Sequence, residues 1–282
     1  MRAKRWQRIA LFLILLVLAL IVALPLYWAV TIALRPGADM FTRNIAPSSL
    51  TFQNFYDLIF DRDWAGFQGV SFGVPLKNSL LVAVSATGFS IIVSTFAGYA
   101  LAMFSFRGRE LVSSYILLAY IFPPFIIVVS LFRFINLVGL KDSLLGVALL
   151  HLVIVVPYCS WMLRGYFLSI PKSLEESAMI DGCTRMGALL RVILPVSAPG
   201  VASAAIFSFT LSWQEMLFSL ITLESHDKFT LPIALLAMVM GDLVQWGKLM
   251  AGALISIAPP AILYLALQRW IVGGLTAGSV KR

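Results

Sequence analysis

Charge is scarce in this sequence: Asp, Glu, Lys and Arg make up 12% of its 282 residues, against 60% hydrophobic residues and a mean hydropathy of +0.94. A water-soluble domain cannot hide that much apolar surface, so a bilayer must solvate most of the chain. Cysteine and histidine are nearly missing. Cys159 falls in an apolar run and Cys183 in a polar loop, and neither position suits a disulfide of an oxidising compartment. With only His151 and His226 beside them there is no metal-ligand spacing, and both cysteines read as small buried residues. The G-x-x-x-x-G-K-[ST] phosphate loop is absent; Gly247-Lys248 carries its G-K pair alone. There is no Ser/His/Asp set and no H-E-x-x-H run. The chain is therefore expected to be no enzyme, to bind no cofactor, and to take any chemical energy from a partner.

What is present is a series of apolar runs, each near the roughly 20 residues that cross a bilayer. The first, 9–34, follows Arg2, Lys4, Arg5 and Arg8. It is too long for a secretory signal and lacks a convincing cleavage site, so it reads as a retained signal anchor. Residues 35–77 are mixed, with Asp57, Asp61 and Asp63, and read as a folded extracytoplasmic loop. Further spans are expected at 78–106, at 111–132 with a kink at Pro123-Pro124, and at 143–163 with a kink at Pro157. Residues 133–142 make a short outer turn. The run 198–223 is broken only by Glu215, 229–241 is too short to span, and 249–268 is the last span. The tail, 271–282, is small and flexible in composition. No internal repeat and no linker divide the chain, so it reads as one membrane domain over 1–282, all-α with six transmembrane helices.

Six spans put both termini on one side. If that side is the cytoplasm, the inner segments hold 13 of the 21 Lys and Arg but only Glu110, Glu175, Glu176 and Asp181 among the acids. This is the expected positive-inside bias, and it accounts for a pI near 9.7 without nucleic acid.

The longest polar interruption on that side is 170–200, IPKSLEESAMIDGCTRMGALLRVILPVSAPG, within a predicted cytoplasmic loop spanning 164–197. Ser173 and Glu176 have S-x-x-E spacing, so a capping box is expected there. Asp181-Gly182 offers a left-handed stop, Thr184 a second helix start, and Pro195 and Pro199 mark the return to apolar sequence. Two short helices joined at a glycine are predicted beneath the membrane.

This stretch resembles the E-A-A-x-x-D-G…L-P signature loop of permease subunits of bacterial ATP-binding-cassette importers. Here it reads Glu176, Ser177, Ala178, then Asp181-Gly182, then Leu194-Pro195; Ser177 replaces the usual alanine and Leu189 a common aromatic. YALAMFSFRGR at 99–109, the proline-bearing third span, IPKSLEE and the GLTAG tail are similar to the sugar-importing, maltose-type, six-span branch. The resemblance implies a type I importer permease in a bacterial or archaeal cytoplasmic (inner) membrane. It implies a pair of cytoplasmic ATPase subunits that use ATP and Mg, a second and different permease, and an extracytoplasmic substrate-binding protein as partners.

For single residues it implies ATPase coupling through Glu175, Glu176, Ser177, Ala178, Asp181, Gly182 and Pro195, with a glutamate pairing with a basic residue of the ATPase. Beside this stand plainer readings, namely a helix cap for the glutamates and helix termination at Gly182. Trp213-Gln214-Glu215 stands where the family has W-N-E-F. An intramembrane carboxylate is a candidate gate or substrate-path residue, against a reading in which Glu215 hydrogen-bonds at the outer membrane edge. As one acid without a basic partner, it is not expected to titrate in a proton relay. Asp242 and Trp246 are candidate contacts for the binding protein, against a plain solvated loop, and the tail either frays or reaches the ATPase. Cargo other than sugar, such as glycerol-phosphate or another small solute, and an ion-coupled secondary transporter are the alternatives.

Overall fold

The computed structural model describes residues 5–37, 49–60, 70–241 and 244–278. Its elements are α1 (Arg5–Ala33), α2 (Gln53–Phe60), α3 (Gly73–Met103), α4 (Arg109–Ile121), α5 (Pro124–Leu137), α6 (Leu144–Leu168), α7 (Lys172–Ile180) and α8 (Arg185–Ala188). A π-helical turn, Leu189–Ile193, leads into α9 (Leu194–Val196), followed by α10 (Ala198–Gln214) and α11 (Leu217–Thr222). A 3₁₀ turn at His226–Lys228, α12 (Leu231–Met240) and α13 (Trp246–Gly278) complete the chain. No strand occurs among the described residues.

Four helices are long and apolar enough to cross a membrane, or six if each of two bent pairs counts as one span. Those pairs are α4 with α5, bent by 94°, and Arg185–Val196 with α10, bent by 79°. The third predicted span is thus not one kinked helix. Phe122 and Pro123 each precede a proline and both are extended, at φ −66°, ψ 129° and φ −63°, ψ 122°. A residue before proline is pushed out of the helical region, and two in succession turn the chain before Pro124 restarts a helix at its first position. The fifth span is also shorter than expected, since α10 stops at Gln214. Residues 133–137, expected in an outer turn, complete α5, and the small-residue tail continues α13 to Gly278. Residues 279–282, Asp61, Asp63 and Asp242 lie outside the described residues.

The chain divides into two compact units. In the first, residues 1–73 with 234–257, α1 is exposed from Leu11 to Trp28, as a helix facing lipid would be, and its last turn is buried at Thr31 and Ala33. Asn54 of α2 donates its amide to the carbonyls of Ala33 and Arg35 at 2.8 and 2.9 Å, satisfying the C-terminal end of α1.

The second unit takes 74–233 with 258–282. Here α3 shows how a membrane helix packs without a hydrophobic driving force. Ser79, Ala83, Ala86, Ser90, Ser94, Gly98 and Ala102, one every three or four residues, are all buried, whereas Leu81, Val84, Phe89, Ile92, Val93 and Phe96 are exposed. Small residues let neighbouring backbones approach, and the large ones are left for lipid. A Cβ on Gly98 would stand 3.0 Å from the backbone nitrogen of Arg164, so α3 and α6 touch there main chain to main chain. Ser90 and Ser208 close a 2.7 Å hydroxyl pair between α3 and α10. Below it a core of Tyr99, Ala102, Leu163, Phe167, Leu189, Ile193 and Ala204 joins α3, α6, the π-turn and α10.

Candidate functional site

The polar stretch forms the two-helix protrusion that its punctuation predicts. α7 ends at the C-cap Asp181, and Gly182 follows at φ +90°. The Cys183 N–H donates to Ala178 O at 3.0 Å and the Gly182 N–H to Met179 O at 3.1 Å, a Schellman closure that needs a left-handed residue at Gly182. Thr184 opens α8, its hydroxyl accepting from the Gly187 N–H at 3.1 Å. At the other end of α7 the capping box does not form. Pro171 takes the N-cap, so Ser173 lies inside the helix and no side chain caps it. Proline has no side-chain acceptor, and its carbonyl takes the Leu174 N–H at 3.1 Å instead. α6 runs on to Leu168, so the first residues of the stretch 164–197 are helical.

One helical step separates the two glutamates and gives them different surroundings. Glu175 is buried, and its carboxylate accepts a 2.6 Å hydrogen bond from the Tyr99 hydroxyl. Ala178, three residues on, is buried on the same face. Glu176, Ser177, Asp181 and Gly182 are exposed, and so are the apolar side chains of Met179, Met186 and especially Ile180, at 85%. Glu176 is therefore the glutamate available to a partner, while Glu175 is engaged within the chain. Pro195 is exposed at the rim of an apolar groove of about 400 Å³ shared with Leu190, Leu194, Ala198 and Trp270.

Around the base of the protrusion, Arg164 holds Glu110 with 2.6 Å contacts to both carboxylate oxygens and donates to Leu101 O at 3.3 Å. Arg185 lies 5.1 Å over the Phe104 ring.

The second cluster surrounds the break after α10. Glu215 does have a basic partner: Nε2 of His151 stands 3.0 Å from Glu215 Oε2, and Nδ1 of His151 stands 2.6 Å from Ser212 Oγ. The same carboxylate accepts from the backbone N–H groups of Phe218 at 2.9 Å and Ser219 at 3.4 Å, which caps α11. A neutral imidazole donating from Nε2 and accepting the Ser212 proton at Nδ1 satisfies both ring nitrogens of His151. Trp213 is buried and stacked on Phe209 at 5.7 Å, whereas Gln214 is exposed and does not join the cluster. Trp246 borders a cleft of about 610 Å³ with Arg35, Asn54, Asp57 and Lys248.

Tyr99, Arg164 and His151 are missing from the sequence-derived site. Tyr99 carried no signal of its own. His151 did carry one, since an ionisable residue inside an apolar run is a functional candidate by default.

This arrangement of apolar helices and a glycine-hinged polar protrusion has counterparts. Residues 90–276 match the family described as binding-protein-dependent transport system inner membrane component. The chain belongs to that family. It is a multi-pass membrane protein, the permease component of such a transport system. It is similar to the diacetylchitobiose uptake system permease protein DasC of Streptomyces coelicolor, 34% identical over 261 residues and covering 91% of each chain. It is also similar to the trehalose/maltose transport system permease protein MalG of Thermococcus litoralis, 32% identical over 283 residues, covering 100% of this chain and 99% of the relative. A chain of a bacterial ABC transporter involved in the import of the acidic polysaccharide alginate shares the fold. It aligns at a TM-score of 0.76 and 20% identity, covering 95% of this chain and 98% of the other.

Proposed function

We propose that the chain is one permease of an ATP-driven, binding-protein-dependent importer, and that its cargo is a sugar or oligosaccharide. In this reading α1, α3, the bent pair α4–α5, α6, α10 and α13 are the six spans, with both termini in the cytoplasm. α7 and α8 dock on one of a pair of ATPase subunits that use ATP and Mg, a second and different permease completes the pathway, and a binding protein delivers cargo outside. The observation that carries it is the face of the protrusion: Ile180, Met179 and Met186 are exposed beside Glu176 and Asp181 on the side where the positive-inside bias puts cytoplasm, not lipid. Apolar side chains left open to water beside charge mark a protein interface. The sugar assignment draws on the names of the relatives, which include diacetylchitobiose and trehalose/maltose permeases.

A second reading is favoured by the His151–Glu215 pair, since a buried ionisable pair in a membrane protein can serve an ion-coupled transporter that needs no ATPase. Solubilising the tagged chain in mild detergent and identifying what copurifies by mass separates the two. An ATPase with a second permease supports the importer. The chain alone, transporting on an ion gradient, supports the rival.

A further inference from the structure

Glu175 and Glu176 are adjacent acids that face opposite ways, and only the outward one is explained by docking. The inward one has a specific partner. Tyr99 lies in the last turn of α3, 5% exposed, and Glu175 in the first turn of α7, 8% exposed. The Tyr99 ring is held edge-on by Phe104 at 5.6 Å and Phe167 at 6.2 Å, so its hydroxyl is delivered to Glu175 from a fixed direction. The last turns of α3 are themselves immobilised on α6 by the close approach at Gly98 and by Arg164 donating to Leu101 O. A hydroxyl donating to a carboxylate over 2.6 Å is a charge-assisted bond with a set length and angle. An apolar contact would let a nine-residue helix slide or roll under load; a directional bond at one point resists both.

We infer that Tyr99 is a positioning residue for energy coupling: its bond to Glu175 ties α7 to the end of α3, so that the docked helix and the membrane helix move together. This rests on the reading that α7 docks on an ATPase. Glu176 then meets the partner while Glu175 transmits the displacement inward, which accounts for two successive acids with opposite exposure.

The test uses the complex as purified, in proteoliposomes supplied with cargo-loaded binding protein, and reads cargo transported per ATP hydrolysed. Tyr99→Phe keeps the ring and removes the hydroxyl. The ratio should fall by at least about fivefold, the low end of typical coupling factors, while hydrolysis persists. Glu175→Gln keeps a carbonyl acceptor for Tyr99 and should hold the ratio closer to wild type than Tyr99→Phe does. The double variant Tyr99→Phe with Glu175→Leu separates tethering from simple satisfaction of a buried acid, because removing both partners leaves no orphaned group. A tether predicts that the double variant assembles and stays uncoupled, whether or not Tyr99→Phe alone assembles. A normal ratio in Tyr99→Phe or in the double variant overturns the inference. A wild-type preparation that lacks an ATPase refutes the docking reading itself, whatever Tyr99 does.

Discussion

Replacing Glu215 with leucine strips three donors of their acceptor at once, and the size of the loss can be worked from the geometry. The Phe218 N–H at 2.9 Å and His151 Nε2 at 3.0 Å are well-formed bonds, and the Ser219 N–H at 3.4 Å is a weak one. His151 is 1% exposed and the Phe218 residue is fully buried, so neither donor can turn to water. At about 1–3 kcal/mol for each orphaned buried donor, the two strong bonds set a cost of about 2–6 kcal/mol. Glu215→Gln is shaped alike and keeps one carbonyl acceptor, so it should cost about half as much. For a chain of this size about 3 kcal/mol corresponds to roughly 5 °C in unfolding midpoint. The assay is thermal unfolding of the detergent-solubilised complex, read in parallel with transport. The expected order is wild type, then Glu215→Gln, then Glu215→Leu, in both. A Leu variant as stable as the Gln variant would show that the carboxylate does not hold the α10–α11 break, and the reasoning would fail.

Other outcomes follow from single positions. A Cβ at Gly182 would meet nothing within 4 Å, so Gly182→Val acts through backbone strain at φ +90° alone, at a cost of about 1–2 kcal/mol. It should lower cargo moved per ATP, while Gly182→Asn, which tolerates the left-handed region, should retain more of it. Asp142 ties the turn before α6 to the segment after α11, accepting from the Glu224 and Ser225 N–H groups, the Ser225 hydroxyl and the Lys228 ammonium. Burial pushes its carboxyl up, but the Ser225 hydroxyl and the other donors outweigh burial and hold it well below the ordinary range. A depressed folded-state value gives stability that is present above the unfolded value, near about 4, and is lost as pH falls below it. Amide exchange over residues 223–229, taken relative to the intrinsic rate of the free peptide at each pH, should therefore become faster below about pH 4. Asp142→Asn, which suits the φ of +50° there, should show the faster exchange already at neutral pH.

Much of this organisation was legible along the chain, and what was not has a physical cause. Hydropathy located the apolar helices because a membrane span needs only length and composition, and Asp181-Gly182 located the hinge because few residues accept positive φ. Local spacing misled where a neighbour competed. Ser173 and Glu176 fit a capping box, but Pro171 occupies the cap and shifts the helix start upstream. Proline pairs are equally ambiguous, since Pro123-Pro124 breaks the chain by 94° while Pro259-Pro260 lies within α13. The pairs that set the chemistry were out of reach because they are remote in sequence. Tyr99 and Glu175 stand 76 positions apart and His151 and Glu215 stand 64 apart. Only the packing of α3, α6, α7 and α10 brings them together. The exposure of Glu176 against the burial of Glu175 follows from the roll of α7 on that core, which periodicity over nine residues does not fix.

If the chain is an importer permease, cargo arriving outside is felt at an ATP site that the protrusion contacts. ATP hydrolysis by the purified complex in proteoliposomes, measured with and without the cargo-loaded binding protein, tests it most directly. Coupling of the two sides through the protrusion predicts that the loaded binding protein stimulates hydrolysis. It also predicts that Glu176→Ala diminishes this stimulation while the chain itself stays folded. Hydrolysis indifferent to the loaded binding protein, together with cargo uptake driven by an ion gradient in the absence of ATP, would contradict it.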